Sequence, residues 1–205
     1  QEILGEAVKV ARSQFGCRGI QRLVEKCLHV PSTQAVLEEL LGDPQAIREL
    51  CKHPFGHYVA QSVLESGFEE FKRRVAVAML RDLPRLATHK SASYVVEKAM
   101  THCDEEVQAQ FCRSLTEAEV VRALAASKGV YVLRAISRKS EELRRAVRRA
   151  LSDDWLASEQ GRAVQASKHA RVLLKDLGIQ CDGLDAAAAS SAAEAAESAA
   201  GEEAA

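Results

Sequence analysis

Wound as helices, four short segments of this chain divide into the same two arcs. In "SYVVEKAM" (93–100), Val95, Val96, Ala99 and Met100 form one apolar stripe when residues advance by about 100° each. Ser93, Tyr94, Glu97 and Lys98 form the opposite stripe. "HYVAQSVL" (57–64) sets Val59, Ala60, Val63 and Leu64 against His57, Tyr58, Gln61 and Ser62. "CRGIQRLV" (17–24) sets Gly19, Ile20, Leu23 and Val24 against Cys17, Arg18, Gln21 and Arg22. "VYVLRAIS" (130–137) sets Val132, Leu133 and Ile136 against Val130, Tyr131, Arg134 and Ala135, with Ser137 as its weak core position. The four starts lie 40, 36 and 37 residues apart. A fixed period of that size predicts stacked helical repeats.

Flanking helices complete each unit. Helical patterns precede the marked segments at 6–13, 44–52, 82–90 and 117–127, and follow them at 33–41, 68–80, 105–115 and 141–151. Asp43-Pro44 reads as a cap followed by a first-turn proline, Pro31-Ser32 as a similar start, and Gly67 as a helix end. Three helices per unit cannot bury an apolar stripe alone, so the units must stack. The expected organisation is a leading piece at 1–5, repeats at about 6–42, 43–81, 82–116 and 117–152, and a divergent cap at 153–178. A tail at 179–205 follows, Ala/Ser/Glu-rich and expected to be disordered. The chain opens at Gln1 within a helical pattern, which reads as an excised portion.

Composition changes this picture little. Hydrophobic residues make up 47% of the 205, enough for a real core, and the formal net charge is −1. Setting aside the four glutamates of 186–205 leaves 28 basic residues against 25 acidic ones, a mildly basic body that permits a nucleic-acid partner without requiring one. Cysteines 17, 27, 51, 103, 112 and 181 form no CxxC pair and read as reduced thiols. No metal site or cofactor is expected, and no apolar run approaches the ~20 residues of a membrane span. His53, His89 and His102 lie near helix ends, where capping is their expected role. The run "RRAVRR" (144–149) reads as the exposed side of an outer helix. Phosphate loops, HExxH and GxSxG are all absent, so neither catalysis nor a small-molecule substrate is expected.

The polar stripe carries the pointed chemistry. Tyr58, Tyr94, Tyr131 and the Arg18 guanidinium can stack on a base. Their neighbours at the first and fifth positions can meet a base edge. Ionised Glu97 only accepts hydrogen bonds and suits a guanine edge with two adjacent donors; Gln21 and Gln61 suit adenine or uracil. One stacker and two edge contacts per repeat is how helical-repeat proteins read single-stranded RNA. A HEAT- or armadillo-like scaffold for a protein partner explains the period, but not the recurring tyrosine.

"FGCRGIQRLVEKC", "HPFGHYVAQSVLESG" and "HKSASYVVEKAMTHC" resemble consecutive repeats of the Pumilio (PUF) family, and the similarity runs over roughly residues 6 to 178. The order of units is similar to the C-terminal half of an eight-repeat domain. The resemblance implies an all-α, right-handed α-solenoid, an armadillo-like superhelix. It implies a monomer that binds single-stranded RNA on one face and effector proteins on the outer face, away from membranes. It also implies a code. Cys17 and Gln21 read adenine with Arg18 stacking, His57 and Gln61 stand where uracil is read beside Tyr58, and Ser93 and Glu97 read guanine beside Tyr94. Val130 and Arg134 depart from the pattern, leaving Tyr131 to stack without choosing. Read antiparallel, the four repeats expect 5′-N-G-U-A-3′, overlapping a UGUA core in messenger 3′-untranslated regions. The implied role is cytoplasmic repression or turnover of messenger RNA. The alternative is a nucleolar relative acting in ribosome assembly.

Overall fold

The computed structural model describes residues 3–180, so the tail expected to be disordered at 179–205 lies outside the described residues from 181 onward. Every regular element among them is a helix. Two compact units divide at Ser152 and Asp153.

Twelve helices build the first unit as four triplets. They are α1 (Ala7–Ala11), α2 (Gly16–Lys26) and α3 (Pro31–Leu41); α4 (Pro44–Lys52), α5 (Gly56–Ser66) and α6 (Glu69–Leu80); α7 (Leu83–Thr88), α8 (Ala92–His102) and α9 (Glu105–Leu115); α10 (Ala118–Ala125), α11 (Val130–Ser137) and α12 (Glu141–Ala150). The middle helix of each triplet carries one marked segment. These middle helices pack in succession, α2 on α5, α5 on α8 and α8 on α11. The outer helices do the same along α3, α6 and α9.

Local chemistry starts and stops these helices where the sequence predicts. Asp43 accepts from the backbone N–H groups of Gln45 and Ala46, Asp104 from Val107, and Ser140 from Leu143, so each caps its helix. Pro31 and Pro44 occupy first-turn positions. Gly67 ends α5 with ordinary negative φ, so left-handed backbone is not its reason. A Cβ there would stand 2.4 Å from the Val63 carbonyl oxygen.

The apolar stripes form the interior. Val59, Val63, Val95, Val96, Ala99, Met100, Val132, Leu133 and Ile136 are all completely buried. Repeat one departs from this. Gly19, which matches Val59, Val95 and Val132 in register, is exposed, and a Cβ built on it meets nothing within 4 Å. Arginines tie helices together within a repeat. Arg48 is buried and donates to the Ala78 carbonyl at 3.2 Å, and Arg122 donates to the Ala150 carbonyl at 3.1 Å, the same tie two repeats later. Across repeats the outer helices are laced by ion pairs: Arg74 with Glu38, and Arg73 with Asp104 and Glu106 at 3.4 and 3.1 Å. These pairs are half exposed and contribute little individually.

The second unit holds α13 (Asp153–Leu156), α14 (Glu159–Ala166) and α15 (Lys168–Asp176). Ser158 caps α14 through the Gly161 N–H, and Gln165 Nε2 donates to the Leu156 carbonyl at 2.8 Å. Gly178, at φ +70°, turns the chain after α15, and the Ile179 N–H returns to the Leu174 carbonyl at 2.9 Å. Ile179 is buried, so the packed chain runs past the boundary at 178 that composition suggests. Five cysteines lie among the described residues, and all are free thiols. Burial pushes the Cys51 thiol up to about 12 and, with help from Asp104, the Cys103 thiol up to about 11. Such thiols are poor nucleophiles at neutral pH. Among the described residues no His, Cys, Asp or Glu cluster could hold a metal ion, and no helix is long and apolar enough to cross a membrane.

Candidate nucleic-acid interface

Packing the middle helices side by side brings their marked positions into one row. We call each set a rung: 17/18/21, 57/58/61, 93/94/97 and 130/131/134. The stacker position faces outward on all four. Arg18 is exposed, Tyr58 is 47% and Tyr94 36% exposed, and Tyr131 is half-buried. The fifth positions, Gln21, Gln61, Glu97 and Arg134, are half-buried at the edge of the row.

The first positions differ from the presented arc that helical winding predicts. Cys17, His57, Ser93 and Val130 are only 2%, 6%, 1% and 1% exposed. Cys17, His57 and Ser93 lie in the first turn of their helices, in the seams where α2, α5, α8 and α11 pack in succession. His57 shows this most clearly. Its Nδ1 donates to the His53 carbonyl at 2.9 Å, and its ring sits 3.9 Å from that of Tyr58. The same ring stacks at 6.3 Å on Tyr94, and Tyr94 lies 6.2 Å from Tyr131. Rungs two to four therefore form one continuous row of rings. Ser93 Oγ, at the centre of this row, is buried and meets no hydrogen-bond partner among the described residues. Leaving a buried hydroxyl unsatisfied costs about 1–3 kcal/mol.

Side chains on the rungs also connect repeats. Gln21 Nε2 donates to the Tyr58 carbonyl at 3.4 Å, spanning rungs one and two, and Lys98 pairs with Glu65. A cleft of about 290 Å³ opens between α8 and α11, lined by Glu97, Met100, Thr101, Tyr131, Arg134, Ala135, Arg138 and Lys139. Arg138 and Lys139 are not singled out by the repeat pattern, because they follow the marked segment. The balance of charge within each repeat is the signal that finds them.

The loop before each middle helix carries a recurring acceptor. Ser13 Oγ accepts from the Gly16 N–H at 3.0 Å, His53 Nδ1 from Phe55 and Gly56 at 3.2 Å, His89 Nδ1 from Ser91 and Ala92 at 3.2 and 3.3 Å, and Ser127 Oγ from Gly129 at 3.1 Å. Nδ1 must be unprotonated to accept. Both imidazoles titrate below their ordinary value. For His53 the causes are desolvation first, then Arg12 and His57; for His89 they are desolvation, then Lys52, Lys90 and His57. The unfolded chain therefore binds more protons below about pH 6.5 than the folded one. The stability these caps contribute is complete above about pH 6.5 and is lost as pH falls towards the folded values. Replacing both histidines by Ser, the residue at position 13, should flatten the fall in thermal midpoint between pH 7 and pH 5. A double variant with the wild-type pH profile would remove this role.

A family model described as a NOP9-like PUF repeat domain matches residues 16–129, more than half of the chain. The chain belongs to the PUF repeat family. The match begins at the start of α2 and stops at Gly129, one residue short of the fourth rung. Among curated PUF relatives, the putative pumilio homolog 10 of Arabidopsis thaliana is 29% identical over 136 residues, covering 64% of this chain and 25% of that protein. Pumilio homolog 9 of the same plant is 31% identical over 102 residues, covering 47% of this chain and 17% of its own length. The chain thus spans about a quarter or less of these relatives. Solved PUF structures share the fold. PUF-8 in complex with PBE-RNA has a TM-score of 0.70 at 17% identity, over 85% of this chain and 51% of that one. The RNA-binding domain of yeast Puf5p bound to SMX2 RNA has a TM-score of 0.65 at 21% identity, over 84% and 48%.

Proposed function

We propose that this chain binds single-stranded RNA along the row of rungs, with guanine chosen at the third rung. The observation that carries the reading is the row itself: rings of adjacent repeats at 6.2–6.3 Å, flanked by Gln21, Gln61 and Glu97. A base held between two rings needs roughly 6.8 Å, two stacking steps of about 3.4 Å. The PUF structures with RNA named above support the same ligand class.

On this reading Arg18, Tyr58, Tyr94 and Tyr131 stack, and Gln21, Gln61 and Glu97 read base edges. Cys17, His57 and Ser93 are buried, so a base reaches them only when the side chains around them move aside. Val130 offers no hydrogen bond, so the fourth rung does not choose by its first position. The sequence expected along the row is 5′-N-G-U-A-3′, and the biological role is control or processing of the RNA that carries it. The match to a NOP9-like repeat domain fits a second reading too, a nucleolar role in ribosome assembly rather than messenger repression in the cytoplasm. Both readings share the interface.

Ser93 gives the test. Ser93→Ala removes an unsatisfied buried hydroxyl, so the free protein should keep or gain stability, by up to about 1 kcal/mol. Affinity for a UGUA-containing single strand should nonetheless fall several-fold. Stability by denaturant titration and affinity by fluorescence anisotropy separate the two effects. Wild-type protein that fails to bind the oligonucleotide contradicts the proposal, as does a variant that binds it equally well.

A further inference from the structure

The basic charge of this chain is concentrated in one repeat. Residues 1–116 hold fifteen Lys and Arg against fifteen Asp and Glu, a net of zero. Residues 117–152 hold nine against four, and residues 153–205 hold four against ten. The fourth repeat alone is therefore at +5. It is also the repeat whose first position, Val130, is apolar and buried, and whose middle helix lies beyond the family match. Its first position offers no hydrogen bond to a base edge, and the repeat carries positive charge instead.

Part of that charge converges on the RNA face. Arg134 lies in the last turn of α11, Arg138 caps that helix one turn later and Lys139 follows it directly; all three line the cleft between α8 and α11. Lys139 is held at the wall by Gln108: its ammonium donates to Gln108 Oε1 at 2.5 Å, and Gln108 Nε2 donates to the Cys103 carbonyl at 2.6 Å. Glu97 lies on the opposite side of the same cleft. A carboxylate beside three cations suits a ligand with donors at one end and an anion at the other. A guanosine 5′-phosphate unit has that form.

We infer that the fourth repeat is a phosphate clamp rather than a base reader: Arg134, Arg138 and Lys139 hold the phosphodiester on the 5′ side of the guanine that Glu97 engages. This rests on the proposed reading of the row. A strand running antiparallel over the rungs carries that linkage from the third ring to the fourth, across the mouth of the cleft. Tyr131 then supports whatever base stands 5′ of the guanine. Cations on phosphate position a strand without carrying sequence information. The clamp therefore raises affinity evenly and leaves selectivity to the other three rungs.

The test uses the whole chain and two chemical changes. Replacing the phosphate 5′ of the guanine in NGUA by an uncharged methylphosphonate should weaken wild-type binding about ten-fold. The same change should matter little to a variant carrying Arg138→Gln and Lys139→Gln. That variant should also flatten the dependence of log affinity on log salt by about 0.7 for each phosphate it no longer neutralises. Varying N through all four bases should alter binding less than about two-fold. Unchanged binding of the methylphosphonate strand, or a ten-fold preference at N, overturns the clamp. If guanine selectivity persists in that case, only the clamp falls. If the wild-type chain binds neither strand, the reading of the row falls with it.

Discussion

Changing the guanine of a UGUA oligonucleotide to adenine weakens its binding by about 1–3 kcal/mol, the range of a good bidentate edge contact in DNA readout. In ratio this is roughly five- to 150-fold. The effect follows from the chemistry of Glu97, half-buried at the third rung beside the exposed Tyr94 ring. An ionised carboxylate only accepts hydrogen bonds. Guanine offers it two adjacent donors on its pairing edge, whereas adenine offers one donor and a lone pair that opposes the carboxylate. Glu97→Gln supplies a donor as well as an acceptor, so the preference should shrink in the variant. Fluorescence anisotropy at one fixed ionic strength measures all four combinations. Equal affinity of wild type for the two strands would remove Glu97 from the reading role.

Phe111→Ala should cost the fold about 3–5 kcal/mol. Phe111 is completely buried on α9, the helix that packs on α6 of the second repeat and on α7 and α8 of the third. Repeat stability is close to a sum of unit and interface contributions, and a cavity here damages both. For a chain of this size each kcal/mol moves the thermal midpoint by about 2–4 °C, so a fall of roughly 6–20 °C is expected. Val77→Ala, at a residue that is 50% exposed on the neighbouring outer helix, is the comparison and should stay within about 0.5 kcal/mol of wild type. A loss below about 1 kcal/mol for Phe111→Ala would mean that the repeats do not share a continuous interior.

Much of this architecture is legible in the sequence because stacked repeats are local. Each apolar stripe is complete within eight residues, and Asp43-Pro44 or Pro31 marks a helix start without reference to the rest of the chain. Tyr94 and Tyr131 are likewise visible as a row once the period is known, because the period fixes which helices become neighbours. What pattern reading does not supply depends on distance between helices. The seam that covers Ser93 and His57 is a tertiary fact, since the same residues are outward on an isolated helix. Gln108 holding Lys139 at the cleft crosses 31 positions and follows no periodicity. The divergent cap is legible only as helical: Gly161 fits there because a Cβ would stand 2.3 Å from the Trp155 carbonyl oxygen, a closeness that no stripe predicts.

Selection of RNA from a random pool by wild-type chain and by Glu97→Gln, side by side, tests the reading row most directly. The account predicts enrichment of a short unpaired motif with guanine followed by uracil and adenine in the wild-type pool, no preference at the position before the guanine, and a weakened guanine signal in the variant pool. Recovery of unenriched sequence by both proteins, or of the same motif with undiminished guanine by both, would contradict it.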